Sequence, residues 1–211
     1  PTNIKSYNKF LNFIIGGRGI GKTYGFKKDC ISRYKKKGKQ FLYLRRFKTD
    51  LKKIKTFLND QFENFKDDEF KITGGSNFTT FYINGCEMGY ATSLTSFASL
   101  KSTSYVDVDT IIVDEFIPEK AGFNAYIPNE VEILLNIIDS IFRQREGHVY
   151  LLANNVSIVN PYFSYFGITP NPEKEFNTFK GNDSVEQIIV QICHSAVSYT
   201  HLRAHETLMN L

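Results

Sequence analysis

Cysteine is scarce in this chain and follows no pairing pattern. Cys30, Cys86 and Cys193 are odd in number and scattered, and none lies in a C-x-x-C. That argues against a disulfide framework and a zinc knuckle, and it fits a reducing cytosol. Long apolar runs are missing as well: nothing approaches the roughly 18 residues of a membrane span, so no membrane partner is expected. The start, Pro1-Thr2-Asn3-Ile4-Lys5, lacks the apolar core of a signal peptide. It also lacks Met, which points to a few residues missing ahead of Pro1. Neither sign of charge dominates. The net charge of +4 and a pI near 8.8 permit a nucleic-acid partner without demanding one. With 211 residues the chain has room for one α/β domain with a sizeable core.

What is present is organised around Gly16-Gly17-Arg18-Gly19-Ile20-Gly21-Lys22-Thr23, which fits the P-loop pattern G-x-x-x-x-G-K-[ST]. An apolar run, Leu11 to Ile15, predicts a buried strand before it, and a helical pattern follows from Thr23. Glycines let backbone N–H groups close around phosphate oxygens, and the helix N-terminus adds partial positive charge. Lys22 would reach the β/γ-phosphates, and the Thr23 hydroxyl would complete a Mg2+ shell. The pattern predicts a nucleoside-triphosphate site spanning Gly16 to Thr23.

Further along, the helix from Thr23 is expected to end at Gly38, with Lys35, Lys36 and Lys37 complementing its dipole. Gln40 to Leu44 predicts a second strand. Arg45, Arg46 and Lys48 then fall at a strand's carboxyl end, the edge where open α/β sheets bind ligands, and stand as candidates for an interface or DNA. Leu51, Ile54, Leu58 and Phe62 predict an amphipathic helix over Leu51 to Phe65. Asn84-Gly85 between Thr79–Ile83 and Cys86–Tyr90 predicts a small β-hairpin insert. The Ser/Thr-rich stretch from Ala91 to Tyr105 reads as a loop or short helix.

Thr110-Ile111-Ile112-Val113-Asp114-Glu115 is the second chemical landmark: a β-branched apolar run delivering two acids at its carboxyl end, as a Walker B strand does. Asp114 would hold Mg2+, and Glu115 would deprotonate the attacking water. Asn129 is a plausible N-cap for the next helix, with Glu132 completing a near capping box. Val131, Leu134, Leu135, Ile138 and Phe142 form its apolar stripe, and Arg143 lies on the opposite face. Two readings of Arg143 stand: a solvated helix end paired with Asp139, or an arginine presented to a neighbouring subunit's γ-phosphate. Arg145 is a rival for the second. His148 to Leu152 predicts another buried strand, and Asn154 just beyond it is the candidate γ-phosphate sensor. The aromatic run from Asn160 to Gly167 suits a satellite core or a subunit contact better than base stacking.

Taken together, these segments resemble the DNA encapsidation ATPases of phi29-like small tailed phages. The matching stretches are Leu11 to Lys22, Tyr43-Leu44-Arg45-Arg46, Val113-Asp114-Glu115-Phe116, Ile127 to Val131, Phe142 to Glu146 and Val159 to Phe163. The resemblance implies an ASCE-type P-loop fold: a mostly parallel central sheet flanked by helices, working as a homo-oligomeric ring around double-stranded DNA in the host cell cytoplasm. It implies ATP between subunits and puts the trans-acting arginine on Arg143. It also implies a C-terminal nuclease-like domain engaging a connector and a packaging RNA, which is not found in this sequence. Two other readings stand beside it. One is a different ring translocase, helicase or terminase-like. The other is a nucleotide-dependent assembly module with little turnover, against which Glu115 argues.

The tail explains that missing domain. Val197 to Thr207 resembles the translation of a transposon-end sequencing adapter, so 196–211 is expected to be non-native and the ATPase domain to occupy 1–195. His201 and His205 are therefore not offered as metal ligands.

Overall fold

Strand β1 (Leu11–Gly16) is buried along its whole length, as its apolar run predicts. The computed structural model describes residues 3–97, 105–118, 126–154, 159–181 and 186–193. β1 leads through the glycine-rich loop into helix α1 (Lys22–Lys37), which ends on Gly38 at φ 66°, where only glycine is unstrained. Then come β2 (Gln40–Arg45), β3 (Phe70–Gly74), β4 (Phe78–Ile83), β5 (Cys86–Ser93) and β6 (Val108–Asp114). Helix α2 (Glu130–Phe142), β7 (His148–Ala153), the short α3 (Pro161–Phe166), β8 (Phe176–Lys180) and β9 (Glu186–Cys193) complete the order.

Among the described residues all nine strands join one sheet, in the order β3-β4-β5-β2-β6-β7-β1-β9-β8. The six from β5 to β9 run parallel, and antiparallel partners occur only toward the edges. The two faces are covered by different helices, which is why the central strands read as continuous apolar runs. Leu11, Phe13 and Ile15 share one core with Leu42, Leu44, Val113 and the apolar residues of α2 and α3. Ile14, on the other face, joins Phe41, Tyr43, Ile112 and Tyr150 against Phe26, Cys30 and Ile31 of α1.

Three expectations change. First, Leu51 to Phe65 is not one α-helix. It forms three 3-10 turns, Lys48–Leu51, Ile54–Thr56 and Asn59–Asn64. Leu51, Ile54 and Leu58 are buried as their spacing suggests, but Phe62 is 48% exposed. The Phe57 carbonyl, which an α-helix would use, accepts instead from Lys27 Nζ at 2.8 Å. Asp60 and Asn64 are likewise drawn to Lys27 and Lys28 of α1. Side-chain capture of this kind competes with helical bonding. Second, the Asn84-Gly85 hairpin forms, both turn residues having positive φ as a type I′ turn requires, yet it is no appendage. Its β5 pairs with β2, so the hairpin and β3 extend the main sheet. Third, Asn129 does not cap α2 through its side chain and no Asn129–Glu132 box forms. The Ile127 N–H is taken by Glu130 Oε2 at 3.0 Å. Of the Ala91 to Tyr105 stretch, Ala91 to Ser93 belong to β5. Residues 98–104 lie outside the described residues, as does the tail from 194 onward.

The aromatic run around Pro161 packs into the core. Asn160 caps α3 through Phe163 N–H at 3.0 Å. Tyr162 and Phe163 are buried, and Tyr165 is exposed. The Phe13 ring lies 5.3 Å from both Phe116 and Phe163, edge to face. Phe13 thus ties the P-loop strand to the segment after β6 and to α3. Replacing it, Phe13→Ala, is expected to cost about 3–5 kcal/mol of stability, read as the shift of the urea unfolding midpoint at unchanged slope.

Candidate active site

Parallel strands deliver their carboxyl ends to one edge of the sheet, and the chemistry gathers there. The P-loop leaves β1 at Gly16 and turns through Gly19 and Gly21, with φ 82° and 81°. Gly21 begins α1 without a side chain to occupy the first-turn N–H groups, which remain available to an anion. Gly16 is needed for space: a Cβ there would meet Cys193 Cβ and Ile20 Cδ1 at 2.6 Å each.

Lys22 donates to the Gly16 and Gly17 carbonyls at 2.7 and 2.8 Å and to Asn154 Oδ1 at 3.3 Å. Burial lowers the pKa of its ammonium, and the neighbouring Cys193 and Asp114 pull partly the other way. The Thr23 hydroxyl donates to Asp114 at 3.2 and 3.3 Å, and the Tyr43 hydroxyl donates to Asp114 Oδ2 at 2.8 Å. Burial, and next the Asp114 carboxylate, push the Tyr43 phenol well above its ordinary pKa, so it stays a donor. Arg45 bridges both acids, with Nη2 at 2.6 Å from Glu115 Oε2 and Nη1 at 3.7 Å from Asp114 Oδ2. Glu115 itself has φ 60°, an uncommon conformation for a residue with a side chain.

These groups border one cavity of about 360 Å³, lined by the P-loop with Arg18 and Lys22 on one side and by Asp114, Glu115 and Asn154 on the other. A cationic wall faces an acidic one, as a polyphosphate carrying a divalent cation requires. Thr23 and Asp114 present hard oxygen donors side by side, a set suited to Mg2+.

The remaining candidates separate. Arg46 is taken off the surface: it is 6% exposed and paired with Glu130 at 2.7 Å. It is therefore unsuited to an interface or to DNA. Lys48 is exposed on the turn after β2. Arg145 is spent on the carbonyls of Tyr105, Val106, Val108 and Ile141. Arg143 caps α2 in a left-handed conformation, exposed, and among the described residues no hydrogen bond or ion pair involves its side chain, Asp139 included. It does not line the cavity. α2 starts beside Arg46 at the carboxyl edge of the sheet and ends where Phe142 meets Phe10, ahead of β1. A helix of 13 residues spans roughly 20 Å, so Arg143 stands at the opposite edge from its own cavity.

The match to known proteins follows this geometry. A family model described as "Podovirus DNA encapsidation protein (Gp16)" matches residues 1–206. The chain belongs to the podovirus DNA encapsidation family. The family match runs into the stretch that resembles an adapter, which lies outside the described residues. The encapsidation chain is 49% identical over 176 residues to the DNA packaging protein of Bacillus phage B103, covering 83% of this chain and 53% of that protein. It therefore spans about half the length of the curated relatives it matches. Among solved structures it is similar to the N-terminal domain of the DNA packaging ATPase from bacteriophage phi29, with a TM-score of 0.84 and 43% identity over 93% of this chain and 96% of that one. It is also similar to a chain of the phi29 viral genome packaging motor assembly, with a TM-score of 0.78 and 42% identity over 91% of this chain and 56% of that one.

Reading motifs alone missed Tyr43 and the pairing of Arg45 with Glu115. The signal was there: alternation along β2 puts Tyr43 and Arg45 on one face, level with the end of β6. Glu130 was read only as part of a helix start. One test follows from Gly16. Gly16→Ala should displace Cys193 or Ile20 and destabilise the chain by about 1–3 kcal/mol. Adding Cys193→Gly should recover part of that loss in thermal unfolding.

Proposed function

We propose that this chain carries the ATP-hydrolysing site of a motor that drives double-stranded viral DNA into a prohead. The observation that carries the reading is the meeting of the P-loop with Asp114 and Glu115 across one cavity. Family membership supports packaging as the work done with that site. β7 lies between the P-loop strand β1 and the Walker B strand β6, which supports the ASCE class of P-loop ATPases.

In this mechanism Lys22 moves from the loop carbonyls onto the β/γ-phosphates. Thr23 and Asp114 would hold Mg2+, which would offset phosphate charge when bound. Glu115 orients a water molecule for in-line attack and accepts its proton, and Asn154 reports on the γ-phosphate through its contact with Lys22. Arg45 donates to Glu115 Oε2 at 2.6 Å and so competes with a water molecule for that carboxylate. This feature favours slow hydrolysis by the chain alone and gives the assembly-module reading its one specific support. Arg143, distant from its own cavity and exposed, suits a role on a neighbouring copy's nucleotide, which supports a homo-oligomeric ring with shared sites. Lys48 remains a candidate for a DNA or subunit contact. By kinship the motor would also engage a phage connector and a packaging RNA through residues outside this chain, in the host cell cytoplasm.

The test is ATP turnover across a wide range of protein concentration, with Glu115→Gln as control. Specific activity should rise with concentration, and the control should be slower by about 100-fold or more. Arg143→Ala should leave ATP binding within about threefold of the parent while cutting turnover by about 1,000-fold, as trans-acting arginines do. A constant specific activity would remove Arg143 from the reaction. Intact ATP held by an assembled ring would favour the assembly module.

A further inference from the structure

Arg46 is bonded through all three of its guanidinium nitrogens, and the reaction above does not use it. Its Nε and Nη2 grip both oxygens of Glu130, at 2.7 and 2.9 Å. Its Nη1 donates to the Glu115 carbonyl at 3.1 Å, and Nη2 also donates to the Phe116 carbonyl at 2.7 Å. Glu130 in turn accepts from the buried Tyr162 hydroxyl at 2.7 Å and from Ile127 N–H at 3.0 Å. The Tyr126 ring lies 5.0 Å from the guanidinium carbon.

We infer that Arg46 is a positioning residue for Glu115, holding its backbone in the left-handed conformation that turns the carboxylate toward the cavity. This inference rests on the hydrolytic role proposed for Glu115. A non-glycine residue at φ 60° stays there only where its surroundings over-determine it. Here two successive carbonyls, those of Glu115 and Phe116, are pinned by one rigid planar fork. Lysine could not reproduce that fork, because its ammonium is a point donor. The fork is aimed by Glu130, the first residue of α2, and Glu130 is held by Tyr162 of α3. The clasp therefore joins the end of the Walker B strand to the start of the helix whose far end carries Arg143.

Arg46→Met alone would strand the Glu130 charge and strongly destabilise the protein, so the clasp is best removed whole. The variant Arg46→Met/Glu130→Met/Tyr162→Phe removes both charges of the clasp together, and apolar replacement of such a pair is often tolerated. Three quantities are compared with the parent: amide exchange at Phe116, which donates to Leu152 O at 3.1 Å; affinity for ATP; and kcat. Exchange at Phe116 should quicken at least about tenfold while that of α1 is unchanged. ATP affinity should stay within about threefold and kcat fall about tenfold to a hundredfold. Unchanged exchange at Phe116 overturns the clasp. Quickened exchange with parental kcat overturns its positioning role. If the triple variant does not fold, Arg46→Lys is held to the same outcomes, with smaller changes. A parent protein that hydrolyses no ATP sinks the hydrolase reading instead, and the exchange comparison still decides whether Arg46 holds Glu115.

Discussion

Burial of both faces of the parallel strands is the constraint from which the site follows. β1, β6 and β7 satisfy their backbone groups through ladders on either side and their side chains through two separate cores, so polar chemistry has little place at their centres. It emerges only where the strands stop. The register makes those stops level. Ile15 pairs with Ala153, Asp114 with Leu152, and Leu44 with Val113. The residues that follow, Gly16, Asn154, Glu115 and Arg45, arrive at one edge within about two residues of one another. A slip of one position in β6 would send Asp114 to the opposite face.

Once gathered, the charges must be satisfied in a partly desolvated setting. Asp114 is held by Thr23, Tyr43 and Arg45, and Lys22 by two loop carbonyls and Asn154. These partners are of two kinds. Tyr43 is an anchor, buried and locked as a neutral donor. The Lys22–carbonyl and Arg45–Glu115 contacts link flexible side chains at the cavity wall, and each can be exchanged for a ligand oxygen. The separation of fixed from exchangeable partners lets the cavity accept a charged ligand without rebuilding the sheet beneath it.

Much of this was legible in the chain. The P-loop, the strand before it and the Asp114–Glu115 pair carry local signals strong enough to survive any tertiary context: special backbone demands met by glycine, and apolar runs too long to be exposed. The Asn84-Gly85 turn was equally plain. What failed were features decided by distant partners. Leu51 to Phe65 has helical spacing, yet Lys27 and Lys28 take its carbonyl and carboxylate groups. Asn129 has the chemistry of a cap, yet its backbone is left-handed and its side chain caps nothing in α2. Arg46 and Arg45 are neighbours of one residue type, and alternation along the chain sends one into a buried ion pair and the other to the cavity. Periodicity separates their faces but cannot say what each face meets. β3 and β8 went unread because short strands at a sheet's edges depend on the partner they pair with, whereas β9, eight residues long and paired on both sides, carries an apolar run that motif reading passed over.

Helix α2 gathers these threads. Its first residue is bonded into the segment that carries Glu115, and its last turn hands the chain to Arg143 at the far edge of the sheet. A helix packed by Val131, Leu134, Ile138 and Phe142 moves as a rigid rod if it moves at all, because a close-packed interface has few intermediate positions. In the proposed ring, a displacement felt by Arg143 at a neighbour's phosphate would therefore reach Glu115 through Glu130 and Arg46. One subunit's base would then respond to the nucleotide bound next door. Such coupling needs no long-range pathway of side chains: one rigid helix with a buried ion pair at one end and an exposed arginine at the other is sufficient.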